Sequence, residues 1–216
     1  MVFGILIALQ INNWNERKKE RVEEREVLKN LSRALKSDLD NHFTKHLLRT
    51  ELDVQRANQL LKNITLNRPY NDSLRINFGI LSATGGKIWT PQLSAYKRLE
   101  SKGLDIITND TLLNSILDIY NLDYPRIANI CENFLRNIHD YGRPIVRRQF
   151  LSHHVEQSYD GYIPIDYPSL VEDVEFLNTL KVLRSNSQQI NNQLSVSKSN
   201  VKNVIRHIKY ELGEIE

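Results

Sequence analysis

With one cysteine, one methionine, eight glycines and six prolines in 216 residues, this chain has few means of breaking a helix and none of stapling one. The single thiol, Cys131, excludes an intramolecular disulfide and any cysteine-rich metal site. Within Ile127–Phe134 it reads as a small buried hydrophobe. The long gaps between Gly and Pro favour long helices over many short strands. Charge of one sign is also missing. The 29 basic and 26 acidic residues are interspersed and leave a net charge of only +3. That field is too weak to argue for nucleic acid, and no nucleic-acid partner is expected. Apart from Val2–Leu9, long apolar runs are absent as well.

That run is followed by Gln10, an Asn cluster, Trp14 and a charged helix. A transmembrane helix needs roughly 20 apolar residues, so the run is read as part of one. Residues 1–15 are expected to be the C-terminal part of a truncated transmembrane helix. Its anchor would be Val2, Phe3, Ile5, Leu6, Ile7 and Leu9, with Trp14 at interface depth. Two alternatives compete. A signal peptide lacks its basic start and its small-residue cleavage site here; the other is the apolar tip of a soluble helix.

The expected fold class is all-α. A long N-terminal helix continues from the truncated span and packs against a long C-terminal helix, with several short helices between. Glu16–Glu26, with five acidic and five basic residues, reads as a charged helical stalk (residues 16–26), and residues 27–216 as a single helical domain. No Gly or Pro interrupts Ile5–Arg68, and Pro69 stops the helix. Val27, Leu28, Leu31, Leu35, Leu39, Phe43, Leu47, Leu48, Leu52 and Val54, then Leu60, Leu61 and Ile64, recur at helical spacing as one apolar stripe. Ser73–Thr84 is a helix candidate, and Gln92–Lys102 should be helical with Gly103 as its cap. Asn109 or Asp110 suits an N-cap for Thr111–Asn121. Ile145–His154 reads as a further short helix and Ser158–Ser169 as an irregular loop. Ile190, Leu194, Val201, Val204, Ile208 and Leu212 form a narrow coiled-coil-like seam once Ser197 counts as a polar core position. The stripe from Leu28 to Ile64 is its natural partner.

Two stretches carry a resemblance. Gly4-Ile-Leu-Ile-Ala-Leu-Gln-Ile-Asn-Asn-Trp-Asn-Glu16 resembles the signature of domain of unknown function 6090, an uncharacterised bacterial family of single-pass membrane proteins. Tyr96, Leu99, Gly103, Leu104, Ile107, Asn109, Leu112, Ile116 and Tyr120 form a second matching patch. The resemblance implies a helical domain behind one span, and no catalytic residues. A basic segment before the span, usual in that family and absent here, implies a bacterial inner-membrane location with the domain in the periplasm. Arg17, Lys18, Lys19 and Arg21 argue the other way.

Candidate chemistry is sparse. Asp38, His42 and His46 fall at i, i+4 and i+8 on one helical face, and a His pair at that spacing can chelate zinc; no further ligand is evident in sequence. His153 and His154 are adjacent and would diverge on a helix. Gly85-Gly86-Lys87 fails the P-loop pattern, since Leu81 stands at the first glycine position and Ile88 follows the lysine. Asp38 with Asp40, and Glu172, Asp173 and Glu175, read as solvated carboxylates; Arg143, Arg147 and Arg148 read as a basic surface beside Phe150. Trp89 is read as pinned into the core. No cofactor is implied. The sequence favours a membrane-anchored, non-enzymatic interaction or sensory module of the cell envelope, with a protein partner or a homo-oligomer. The alternatives are a metal-dependent or hydrolytic enzyme using the His42/His46 face, and a structural oligomer built through the C-terminal helix.

Overall fold

A computed structural model describes residues 2–82, 88–155 and 158–215, with side chains placed for all of these except 2–6, 8 and 152–160. The chain is helical as expected. A long helix α1 (Val2–Asp38) opens it and a long helix α8 (Val174–Glu211) closes it. Between them come α2 (Thr44–Thr65), α3 (Ser94–Lys102), α4 (Asp110–Asp118), α5 (Tyr124–Asn137), α6 (Arg143–Gln149) and α7 (Tyr167–Glu172). Two compact units divide the chain: residues 1–41, 91–123 and 197–216 form one, residues 42–90 and 124–196 the other.

In the first unit, α1 buries Val27, Leu28, Leu31 and Leu35, α4 contributes Leu112 and Ile116, and the end of α8 adds Val201, Val204 and Ile208, followed by Leu212 just past it. Solvation of α1 ends at its sixth turn. Glu24 is buried there and its Oε1 accepts from the Thr108 amide at 2.7 Å and the Thr108 hydroxyl at 2.8 Å. Arg21 donates to the other oxygen at 2.8 Å. One turn on, Arg25 donates to the Leu212 carbonyl at 2.9 Å, tying α1 to the end of α8. The segment from Tyr96 to Tyr120 is a packing unit. Gly103 turns the chain at φ 102°, Asn109 caps α4 by accepting from Leu112 N–H at 3.0 Å, and Tyr96 stacks on Tyr120 at 4.4 Å.

The second unit buries Phe43, Leu60, Phe78, Phe134, Phe176 and Leu194, among others. Helix α2 ends as Pro69 demands. Asn67 takes φ 49°, Asn67 N–H donates to Ile64 at 2.9 Å and Arg68 N–H to Asn63 at 3.1 Å, a Schellman closure in which Asn accepts the left-handed conformation. Antiparallel packing of α2 on α8 follows from Asn191 donating to Thr50 at 3.1 Å and Arg184 to Asn58 at 3.5 Å.

Three expectations need correction. A π turn at Leu39–Phe43 inserts one residue into the helical phase. Buried positions run Leu31, Leu35 and Asp38 before it, then Phe43, His46, Thr50, Asp53, Ala57 and Leu60 after it. The apolar stripe therefore does not stay inside: Leu48 and Leu52 are exposed. Next, the candidate helix from Ser73 is two short 3₁₀ turns, Asp72–Leu74 and Asn77–Leu81. Finally, Phe150–Val155 (β1) and Ser158–Pro164 (β2) pair as antiparallel strands, where a helix and an irregular loop were expected. Their aromatic content favours a pleated, half-buried surface: Phe150 packs on Phe78 at 4.9 Å and on Tyr162 at 6.0 Å. Gly161, at φ 95°, lets β2 come so close to Arg75 that a Cβ would sit 2.3 Å from the Arg75 carbonyl. Tyr162 N–H donates to that same carbonyl at 3.0 Å.

Candidate functional site

The concave surface with the most distinctive chemistry lies between α5 and α8. Helix α5 turns Ile127, Cys131 and Phe134 inward, at steps of four and three, which leaves Arg126, Asn129 and Asn133 facing out. The seam on α8 is buried within the chain: Ile190, Leu194 and Ser197 are each 1% exposed or less. Seating that seam presents Ser185, Gln188, Gln189, Asn192 and Val196 to the outside. The two exposed rows enclose an open groove of about 1040 Å³. Six carboxamides line it (Asn129, Asn133, Gln188, Gln189, Asn192 and Gln193), with Arg126 as the one charged residue. Asn133 donates to Asn129 at 3.0 Å, fixing the two amides of the α5 wall. A smaller groove of about 410 Å³ runs along the other flank of α8, against Leu47, Glu51 and Val54 of α2, and shares Gln188 and Asn192 with the first.

The sequence offered a signal for this groove. From Ser185 to Ser197, thirteen consecutive residues carry no charge, in a chain of which 25% is charged. Periodicity looks for apolar residues inside a helix, so a neutral polar face outside it passes unremarked.

The predicted site residues fall elsewhere. Asp38 is fully buried in the first unit, and its Oδ1 accepts from the Gln92 amide at 2.9 Å. Burial, with the Asp38 charge and Tyr96 adding to it, pushes the Tyr120 phenol well above its usual range, so it stays neutral. In the second unit, His46 is buried with its ring edge-on to Trp89 at 5.3 Å, and His42 is half-buried at 6.2 Å from the same indole. His42 sits inside the π turn, so the regular i, i+4, i+8 face does not form. Among the described residues no group of three His, Cys, Asp or Glu side chains is placed to hold a metal ion.

Trp89 is core, as expected, packed against Phe43 at 4.9 Å and Tyr124 at 5.4 Å. Its indole N–H has no acceptor among the described residues. Asp173 turns out to cap α8, accepting from the Glu175 amide at 2.7 Å and also from Gln149. The Gln149 contact overcomes the opposing effect of burial and holds this carboxyl below its ordinary value. Glu175 pairs with Arg148 at 2.8 Å, and Arg143 contacts His139 at 3.2 Å. Gly85, Gly86, Lys87 and the side chains of His153 and His154 lie outside the described residues, as do the side chains of Val2, Phe3, Ile5 and Leu6. Ile7, Leu9 and Trp14 of the proposed anchor are all more than half exposed. Among the described residues no helix is long and apolar enough to cross a membrane.

The sequence profile of a family of unknown function (DUF6090) matches residues 1–141. No curated protein and no solved structure is similar to the chain at a significant level.

Proposed function

Because this chain belongs to DUF6090, a family of unknown function, we propose its role from its surfaces: a membrane-associated helical module that binds a protein partner through the α5–α8 groove. The observation that carries this reading is the lining of the groove. Six carboxamides offer donors and acceptors in equal measure along two helices, the display that suits a helix or other polypeptide laid between them. Arg126 is the single titratable group of that lining, so the groove itself supplies no general acid or base.

Membrane association is supported by the start of α1. Ile7, Leu9, Ile11 and Trp14 stand 53–62% exposed, an apolar surface that none of the described residues covers. The Lys18 ammonium lies 5.2 Å from the Trp14 ring, a pairing suited to headgroup depth. The proposed setting is the outer face of a bacterial inner membrane.

Cross-linking the full-length protein in its native membrane, then identifying captured proteins by mass spectrometry, tests the reading. A partner whose capture falls with Asn129→Lys is expected. A capture pattern indifferent to that variant refutes the groove as the binding face. For the membrane arm, the protein should float with phospholipid vesicles and Trp14→Glu should release it. A Trp14→Glu variant that floats as well as the parent refutes this role for α1.

A further inference from the structure

The outer face of α8 repeats the 3–4 rhythm of the buried seam. Val182, Ser185, Gln189, Asn192 and Val196 follow one another at steps of three, four, three and four, all exposed. That spacing is a coiled-coil stripe, and it spans about 21 Å at 1.5 Å per residue. Its occupant follows from its chemistry. On α8 itself a charged partner would find no counter-charge between Arg184 and Lys198; Arg126 and Glu51 stand across the two grooves, one of each sign. A purely apolar partner would leave the amides of Gln189 and Asn192 desolvated and unpaired, a loss of about 1–3 kcal/mol for each group. Carboxamides and hydroxyls each donate and accept, so the stripe is its own complement.

The order of residues adds to this. Val182 and Val196 lie seven residues to either side of Gln189. With Gln189 on a two-fold axis, Gln189 faces its own copy whichever way the two helices run, and the valines close both ends. Ser185 is small enough to allow close approach. The two grooves flanking the Gln188–Asn192 ridge would receive the ridge of the facing copy, as ridges-into-grooves packing requires. We propose that the outer stripe of α8 pairs with the same stripe of a second copy of this chain. The proposal rests on reading the groove as a protein-binding face and names the protein that fills it. Stable interfaces bury about 800 Å² per partner; a single stripe with its α5 rim falls short of that, so the pair is weak and concentration-dependent.

The test uses the full-length protein with single cysteines added to a chain whose own Cys131 is buried. Gln189→Cys is expected to give a disulfide-linked dimer under mild oxidation, since the paired Cα atoms would lie within about 7 Å. Asn58→Cys, also at an exposed position but on α2, should not. Sedimentation of the parent should show a monomer–dimer equilibrium at tens of micromolar. Gln189→Lys, which sets two ammonium groups face to face, should weaken it by about tenfold or more without changing helicity. Cross-linking no faster at residue 189 than at residue 58 overturns the proposal, and so does an equilibrium that Gln189→Lys leaves unmoved. A parent that stays monomeric while Asn129→Lys abolishes capture of some other protein overturns self-pairing alone. A monomer whose captures ignore both variants overturns the groove reading as well.

Discussion

Truncating Trp89 should be among the most damaging single changes to the second unit. Its side chain is 7% exposed, and three ring centroids (Phe43, His46 and Tyr124) lie 4.9–5.4 Å from its own, each nearly perpendicular to it. A buried tryptophan removes about 150–250 Å² from water. At about 25 cal/mol per Å², that corresponds to about 4–6 kcal/mol, an upper bound because the unfolded chain is itself partly collapsed. Alanine at an aromatic core site ordinarily costs about 3–5 kcal/mol, and the edge-to-face contacts place Trp89→Ala within that range. Trp89→Phe should cost only about 1–2 kcal/mol, the penalty of a smaller ring in the same space. Little more is forfeited, since the indole N–H has no acceptor among the described residues. Urea unfolding followed by far-ultraviolet circular dichroism, compared at constant slope, measures both. A Trp89→Ala cost under about 1 kcal/mol would refute its place in the core. A phenylalanine as costly as alanine would show that the indole nitrogen is engaged.

Glu24 makes stability depend on acid. Burial alone would raise this carboxyl, yet hydrogen bonds from Thr108 and Arg21 more than offset it and hold it below 4.5. A depressed carboxyl stabilises above its unfolded value and loses that contribution as pH falls through the folded one. The parent should therefore lose more stability than Glu24→Gln between neutral pH and pH about 3, by about 1–2 kcal/mol; parallel pH profiles would contradict this. Gly142→Ala should destabilise by about 1–3 kcal/mol or more through overpacking, because its Cβ would meet the Leu81 carbonyl oxygen at 2.1 Å; an unmoved thermal midpoint would contradict that approach. Zinc should leave the thermal midpoint unmoved, since Asp38 is engaged by Gln92 and His46 by Trp89. A zinc-dependent rise abolished by His46→Ala would restore the metal reading.

Helix ends and caps were legible because they depend on residue types with one local solution. Asn109 accepts from the Leu112 amide three residues on, as an N-cap does, α2 stops before Pro69, and Gly103 turns at positive φ. The α8 seam was legible for a different reason. Its rhythm holds from Ile190 to Leu212, provided Ser197 is allowed inside, and Ser197 is fully buried. The π turn at Leu39–Phe43 leaves no mark in residue type. It adds one residue, turning every later position by about 100°, and so it exposes Leu48 and Leu52 while burying Thr50 and Asp53. The strand pair was missed because Phe150, Tyr162 and Ile163 share their short spacing with a frayed helix and a loop. The tertiary partner of Phe150, Phe78, stands more than seventy residues away in the chain.

The stretch that matches the family, residues 1–141, leaves out buried residues of both units. It contains α1 to α5 but no part of α8, yet each unit closes its core on α8. In the first unit, Val27, Leu28, Leu31 and Leu35 are buried together with Val201, Val204, Ile208 and Leu212. In the second, α2 hydrogen-bonds to Asn191, and Phe176, Leu180, Ile190 and Leu194 are fully or almost fully buried. At roughly 1.5–3 kcal/mol for each large apolar side chain covered, the burial of those residues, before the entropy cost of ordering the chain, is at least comparable with the net stability of an ordinary domain, about 5–15 kcal/mol. The match marks lineage. The energetic closure of both units, and the neutral outer face on which the interaction proposals rest, belong to a helix beyond the match.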